Sequence, residues 1–360
     1  MQPESRRPLK GRGAVTSPAG RYESRPIVLD PDAQDPDEPP RHPETTVTPE
    51  TTRTILASND SPDIPFDHSI NPYKGCEHGC VYCFARPTHS WLGLSPGLDF
   101  ETKIFSKPQA PALLRTELAR PGWRCEAIAL GANTDPYQPA ERKERITRAL
   151  IEVMTEHRQP FSIVTKSHLV VRDLDLIAPM AAQRLANVYL SITTLDPALA
   201  RTMEPRAPAP HRRLDAIRDL SAAGVPCGVL ASPMIPGLND SELERILEAA
   251  AGAGALSANY ILIRLPHELK EIVSDWLHEQ YPLRAKRVLS LIRQMRGGRL
   301  NDPDFGSRHR GAGPLAEMLS TRLHTARKRL GLAERLPALD TTRFRVPVPP
   351  GGQRSLFETP

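Results

Sequence analysis

Between Glu126 and Leu265 the chain alternates two patterns: short, almost continuous apolar runs, and stretches whose apolar residues recur every three or four positions. The first suits strands buried on both faces, and the second suits helices laid against them. EAIALGA (126–132), FSIVTKS (161–167), NVYLSITT (187–194), CGVLASPM (227–234) and SANYILIRL (257–265) are the predicted strands. The predicted helices are ERKERITRALIEVMTEH (141–157), RDLDLIAPMAAQ (172–183), HRRLDAIRDLSAAG (211–224) and DSELERILEAAAGAG (240–254). With a first strand around DHSINPY (67–73) this makes six βα units, hence an α/β fold with a parallel sheet, either a barrel or a doubly wound sheet. Gly224 is expected to close one helix and Asp240 to cap the next.

Polar residues gather just past the apolar runs: Asn133, Thr134 and Asp135; Thr165, Lys166 and Ser167; Ser191 and Thr193; Ser232 and Asn239; Arg264 and His267. In parallel α/β folds that rim is where active sites assemble, because loops converge there over a packed core. Tyr137, Glu204 and His267 are expected to fill ordinary rim positions.

Outside this region the pattern fades. The chain of 360 residues contains 38 prolines, many of them in the first sixty positions, where apolar clusters are scarce. The predicted organisation is a disordered Pro-rich segment (1–60), a core (61–283), a basic helical extension (284–336) and a disordered tail (337–360). In the extension, arginines and lysines such as Arg293, Arg322, Arg327, Lys328 and Arg329 outnumber the acidic residues. It reads either as a phosphate-binding face for nucleic acid or as a solvated helix pair whose stripe Val288, Leu291, Ile292 and Met295 caps the barrel. The formal net charge of +5 adds little to that choice. There is no apolar run of bilayer length and no secretory leader, so a soluble, cytoplasmic protein without a membrane partner is expected.

The chemistry concentrates in NPYKGCEHGCVYCFAR, where Cys76, Cys80 and Cys83 form a CxxxCxxC loop. A cubane of four irons ordinarily takes four thiolates, so three would leave one iron open to another ligand. The competing reading is a zinc site completed by His68, His78 or His89. His78 is expected to be exposed and incidental. Cys125 and Cys227 begin apolar runs and read as buried, inert thiols.

The CxxxCxxC loop with the aromatic Tyr82 before its last cysteine resembles that of the radical S-adenosylmethionine (SAM) superfamily. INPYKGCEHGCVYC, TDPYQP, EPR and PGLND together resemble the branch related to spore photoproduct lyase, over roughly residues 64–282. The resemblance implies a partial (β/α)₆ TIM-like barrel, a 4Fe-4S cluster on Cys76, Cys80 and Cys83, and SAM on the open iron. It also implies an enzyme that cleaves SAM reductively to a 5′-deoxyadenosyl radical, fed by an electron donor such as flavodoxin or ferredoxin. SAM contacts are implied for Tyr82 (adenine), Thr134 and Asp135 (the amino group), Lys166 (the carboxylate), and Ser191, which assists it. Arg206 and Asn239 are implied for ribose or carboxylate. In the lyase a further cysteine near the second-strand motif donates hydrogen; here Asn133 stands in that neighbourhood, and Cys125 lies at the other end of the strand. The alternatives carried forward are a nucleic-acid-modifying or DNA-repair enzyme, a zinc-stabilised nucleic-acid adaptor, and an electron carrier.

Overall fold

The computed structural model describes residues 9–22 and 44–347, and expectations for 1–8, 23–43 and 348–360 lie outside it. Among the described residues ten strands form two sheets: β1 (Thr46–Pro49), β2 (Leu56–Ser58), β3 (His68–Ile70), β4 (Tyr73–Lys74), β5 (Lys103–Ser106), β6 (Ile128–Leu130), β7 (Phe161–Thr165), β8 (Ala186–Ser191), β9 (Cys227–Met234) and β10 (Ser257–Leu262). The main sheet runs β10-β9-β8-β7-β6-β3-β2. Its six strands from β3 to β10 are mutually parallel and follow one another in chain order, and only β2 is antiparallel. This is the partial (β/α)₆ barrel, left open between β10 and β2.

The helices are α1 (Leu98–Thr102), α2 (Ala110–Leu118), α3 (Glu141–Glu144), α4 (Ile146–Glu156), α5 (Leu174–Ala182), α6 (Pro197–Met203), α7 (Pro210–Ala222), α8 (Leu243–Gly252), α9 (Leu269–Gln280), α10 (Pro282–Gln294) and α11 (Pro314–Leu330). Strand residues such as Ile128, Leu130, Phe161, Ile163, Val188, Leu190 and Val229 pack with Leu150, Ile177, Ile217 and Ile246 of the helices in one core. The core requires apolar residues on both faces of the strands, which is why they read as continuous runs rather than alternating ones. No described helix is long and apolar enough to cross a membrane.

Four expectations are corrected. Residues 44–60 are not structureless: β1 and β2 lie there, and Glu117 anchors the start of β2 by accepting from the Ile55 and Leu56 N–H groups at 2.9 and 3.0 Å. Residues 9–22 are also placed, with Ala14 buried and bonded to Glu101. The helix expected over 141–157 breaks at Arg145, whose φ of 54° is left-handed. Asp240 caps nothing in α8; its carboxylate instead accepts from the Gly237 N–H at 2.8 Å. A second sheet, β1-β5-β4, was not expected, and its strand β4 leads directly into the cysteine loop.

Candidate functional site

The cysteine loop follows β3 and β4, over the carboxyl ends of the barrel strands. Gly75 and Gly79 have φ of 77° and 66°, and a side chain on either would collide with backbone or with Glu101. Glycine alone allows this tight wrap. Backbone bonds from Cys76 N–H to Phe100 and from Val81 N–H to Met203 tie the loop to α1 and α6. Beneath it Arg86, fully buried, donates to the carbonyls of Gly79, Cys80, Pro96 and Gly97 and pairs with Glu101 at 2.5 Å. Glu101 also accepts from Gly13 and Ala14. A guanidinium with this many partners sets the loop's path.

Cys76 and Cys80 are buried, Cys83 is partly exposed, and all three are free thiols. Burial pushes each thiol up, and Lys166 acts in the opposite sense on Cys80 and Cys83. Among the described residues no three His, Cys, Asp or Glu side chains converge closely enough to chelate one ion. The Cys76 thiol nonetheless feels both Cys80 and Cys83. Three thiols that are neighbours without meeting at one point suit a polynuclear iron–sulfur group, in which each thiolate holds its own metal, better than a single zinc.

His78 is not exposed: only 2% of its side chain is accessible, and Nδ1 stands 3.3 Å from Asp135 Oδ2. The same carboxylate accepts from the Thr165 hydroxyl (2.7 Å), the Tyr137 N–H (2.9 Å) and the Lys166 N–H (2.8 Å). Burial by itself would raise Asp135, but His78, Thr165 and the Lys166 N–H hold it down at about 2. Asp135 is thus a brace joining the cysteine loop to the segments after β6 and β7. Thr134 lies beside it, donating to the Tyr73 carbonyl at 2.8 Å.

Lys166 leaves its backbone on Asp135 and extends its ammonium over the Tyr82 ring, 5.8 Å from the centroid. Among the described residues this ammonium has no hydrogen bond or ion pair. Tyr82 is anchored from below: its hydroxyl bonds Glu204 and lies 3.1 Å from Thr193. Glu204 is itself buried against Arg213, which also donates to the Ser191 carbonyl at 3.1 Å. The hydroxyls of Ser191 and Thr193 both lie 3.1 Å from the Ser232 carbonyl. Arg206 pairs with Glu77 of the loop at 3.0 Å.

Asn239 is fully buried, accepting from the Ile235 N–H and donating to the carbonyls of Thr193 and Pro233. Its side chain is consumed in holding the β9 loop. The structure therefore brings the cysteines, Tyr82, Lys166, Asp135, Ser191 and Arg206 into one neighbourhood, with Thr134 and Asn239 as supports around it. Tyr137 is buried with its hydroxyl on Asp173 at 3.0 Å, away from any rim role, whereas His267 is exposed. Arg86, Glu101, Gln138 and the Glu204–Arg213 pair were not singled out as supports. The one local signal was EPR, which contains Glu204. Gln138 accepts from the Glu77 N–H and donates to the Gly75 carbonyl, stapling the loop from a distant segment.

Cys227 is buried, whereas Cys125 is only half-buried, beside Gln159. Asn133 offers its backbone N–H to Asn71 at 2.9 Å.

A family model for the radical SAM superfamily matches residues 70–250. Uncharacterized proteins of Mycobacterium tuberculosis and Mycobacterium bovis are 40% identical over 233 residues, covering 64% of this chain and 68% of theirs. One from Methanocaldococcus jannaschii is 30% identical over 173 residues, 48% of this chain and 62% of its own. Among solved structures, spore photoproduct lyase complexed with dinucleoside spore photoproduct superposes with a TM-score of 0.56 at 16% identity, over 79% of this chain and 80% of that one. A C140A/S76C mutant of the lyase with bound AdoMet and the same dinucleoside gives 0.56 at 17%. At such identity these structures speak to the fold.

Proposed function

The chain belongs to the radical SAM superfamily and is an enzyme of that class, and from that premise we propose that Cys76, Cys80 and Cys83 hold a 4Fe-4S cluster beside a SAM site reaching to Lys166. Membership implies SAM and an iron–sulfur cluster; the four-iron form, the ligands and the SAM contacts are our reading. With both groups bound, one electron passed to SAM would release methionine and a 5′-deoxyadenosyl radical able to abstract hydrogen from a substrate.

The observation that carries this reading is the uncommitted ammonium of Lys166 poised over Tyr82, next to the Cys80 and Cys83 thiols on which it acts electrostatically. A half-buried cation without an anion partner is expected where a ligand carboxylate completes the site. Tyr82, held by Glu204, presents its ring as a wall. Asp135 fixes the backbone at Lys166, so that the ammonium approaches from a set direction. Ser191 lies across the same mouth. Asp135, Thr134 and Asn239 act through position, since their polar atoms are bonded within the protein. Arg206 remains half-exposed with one fork on Glu77, available to a ribose hydroxyl.

The adaptor and electron-carrier readings give way to membership in an enzyme family. Nucleic acid as substrate remains an expectation from the basic extension, and two of the arginines there are engaged within the protein. Arg322 pairs with Glu244 at 2.6 Å and Arg329 with Glu248, so α11 is fastened to α8.

Anaerobic reconstitution with iron and sulfide tests the proposal. It should give about four irons per chain and form 5′-deoxyadenosine from SAM and dithionite. Replacing Cys76, Cys80 and Cys83 together should abolish both. A colourless protein with one zinc would refute it.

A further inference from the structure

Arg264 follows β10 by two residues, at the carboxyl end of the last barrel strand. Its neighbours Ile263 and Leu265 are buried in the apolar cluster that also contains Cys80, Val81 and Tyr82. Strand-like alternation sends Arg264 to the other side of that segment. Its guanidinium makes no hydrogen bond or ion pair among the described residues, and its Nε is buried without a partner.

The surrounding charges do not answer it. Asp63 is taken by Arg308, whose Nε donates at 2.7 Å, and by the Gly306 N–H at 3.3 Å. Asp302 is taken by the Ser307 hydroxyl at 2.6 Å and the Asp304 N–H at 3.0 Å. Arg296 spends its fork on the carbonyls of Leu262, Ile263 and Arg308. His309, an electrostatic neighbour of Arg264, forms no hydrogen bond through either ring nitrogen, although its Nε2 stands 3.5 Å from Asp63 Oδ2, an oxygen already held by Arg308.

We propose that Arg264, with the His309 ring beside it, forms a subsite for a phosphate group of the substrate at the mouth of the barrel. The inference rests on that mouth being the site of hydrogen abstraction, and it deepens that reading by naming a substrate class, phosphorylated molecules. A half-buried guanidinium fork supplies bidentate, charge-assisted donors. An N–H of the imidazole would add a further donor beside the fork, and a tetrahedral oxyanion has more oxygens to meet both than a planar carboxylate has. Burial and the adjacent Arg308 disfavour the guanidinium charge, Asp63 and Asp302 act in the opposite sense, and a dianion seated on the fork would favour the charge further.

The test titrates inorganic phosphate into the reconstituted full-length chain at low ionic strength, followed by ³¹P NMR. Saturable binding is expected, weakened at least about tenfold by Arg264→Gln, as loss of a charged hydrogen bond requires. Lys286→Gln, an exposed control with the same charge change, should bind phosphate within about twofold of the unsubstituted chain. Arg264→Lys keeps the stem and charge but loses the fork, and should weaken binding about threefold. If the glutamine variant does not fold, the lysine variant decides.

No saturation, an unchanged affinity in the folded Arg264 variants, or acetate bound as tightly as phosphate would overturn the subsite. Iron content and 5′-deoxyadenosine are read on the same preparation. Deoxyadenosine formed without phosphate binding overturns the subsite alone. Phosphate bound at Arg264 without deoxyadenosine overturns the radical reading, and with it the assignment of the bound group to a substrate.

Discussion

His78 Nδ1 stands 3.3 Å from Asp135 Oδ2, bracing the cysteine loop against the segment after the second barrel strand. Both groups are almost removed from water, so their attraction is screened far less than at a surface. His78→Ala should leave the carboxylate one partner short and cost about 2 kcal/mol of stability. Thermal unfolding of the metal-free chain measures it, and a loss below about 0.5 kcal/mol would show the contact to be incidental.

Lys166→Met removes the uncommitted ammonium while keeping the stem that lies over Tyr82. SAM affinity, measured by calorimetry on reconstituted protein, should fall at least about tenfold, as a charge-assisted bond requires, with iron content unchanged. Loss of iron instead would make Lys166 a support of the loop.

Arg86→Met strands the buried Glu101 carboxylate and releases four carbonyls. Breaking one side of a buried ion pair costs about 3–5 kcal/mol. Denaturant unfolding should show a fall of that size, together with poorer iron retention. The Glu101→Gln, Arg86→Met double variant should recover part of the loss.

His309 is held down at about 4, first by burial and then by Arg264 and Arg308, with Asp63 opposing and Arg296 adding to the effect. A histidine depressed on folding binds its proton more readily in the unfolded chain. Its neutral form therefore supports the fold above about pH 6.5, and that support drains away as pH falls toward about 4. His309→Gln should flatten the stability profile across this window, measured by urea unfolding at stepped pH. An unchanged slope would place the acid sensitivity elsewhere.

The two remaining thiols should differ in reactivity. Burial holds Cys125 at about 11 and Cys227 at about 12, and only Cys125 has part of its surface open. Iodoacetamide at pH 8 should label Cys125 slowly and Cys227 only after unfolding, as read by peptide mass mapping.

Much of the barrel was legible because its strands are apolar on both faces and its helices amphipathic, so each pattern had one interpretation. The cysteine loop was legible because its ligands are adjacent in the chain. The supports were not. Arg86 and Gln138 bond the loop from 6 and 61 positions away and Glu101 acts on it through Arg86, and no local pattern marks a polar residue that will be buried against a distant carbonyl. His78 was misjudged for the same reason, since Asp135, which buries it, lies on another segment. Asp240 shows the limit of capping rules: its carboxylate found the Gly237 N–H before it could serve α8. β1 and β2 escaped notice because short edge strands with few apolar residues look like loop until a neighbour pairs with them.

The main sheet is open between β10 and β2, and those margins are joined by Arg308, whose neighbour His309 accepts from Leu262 of β10, and Asp63, which precedes β3. The two partners are 245 positions apart. Contacts of such separation form late, because a long loop must be closed before they reward the chain. The seam is therefore sewn only once synthesis has passed Arg308, long after the thiol loop has emerged. Until then the two margins of the sheet stay unfastened by this pair.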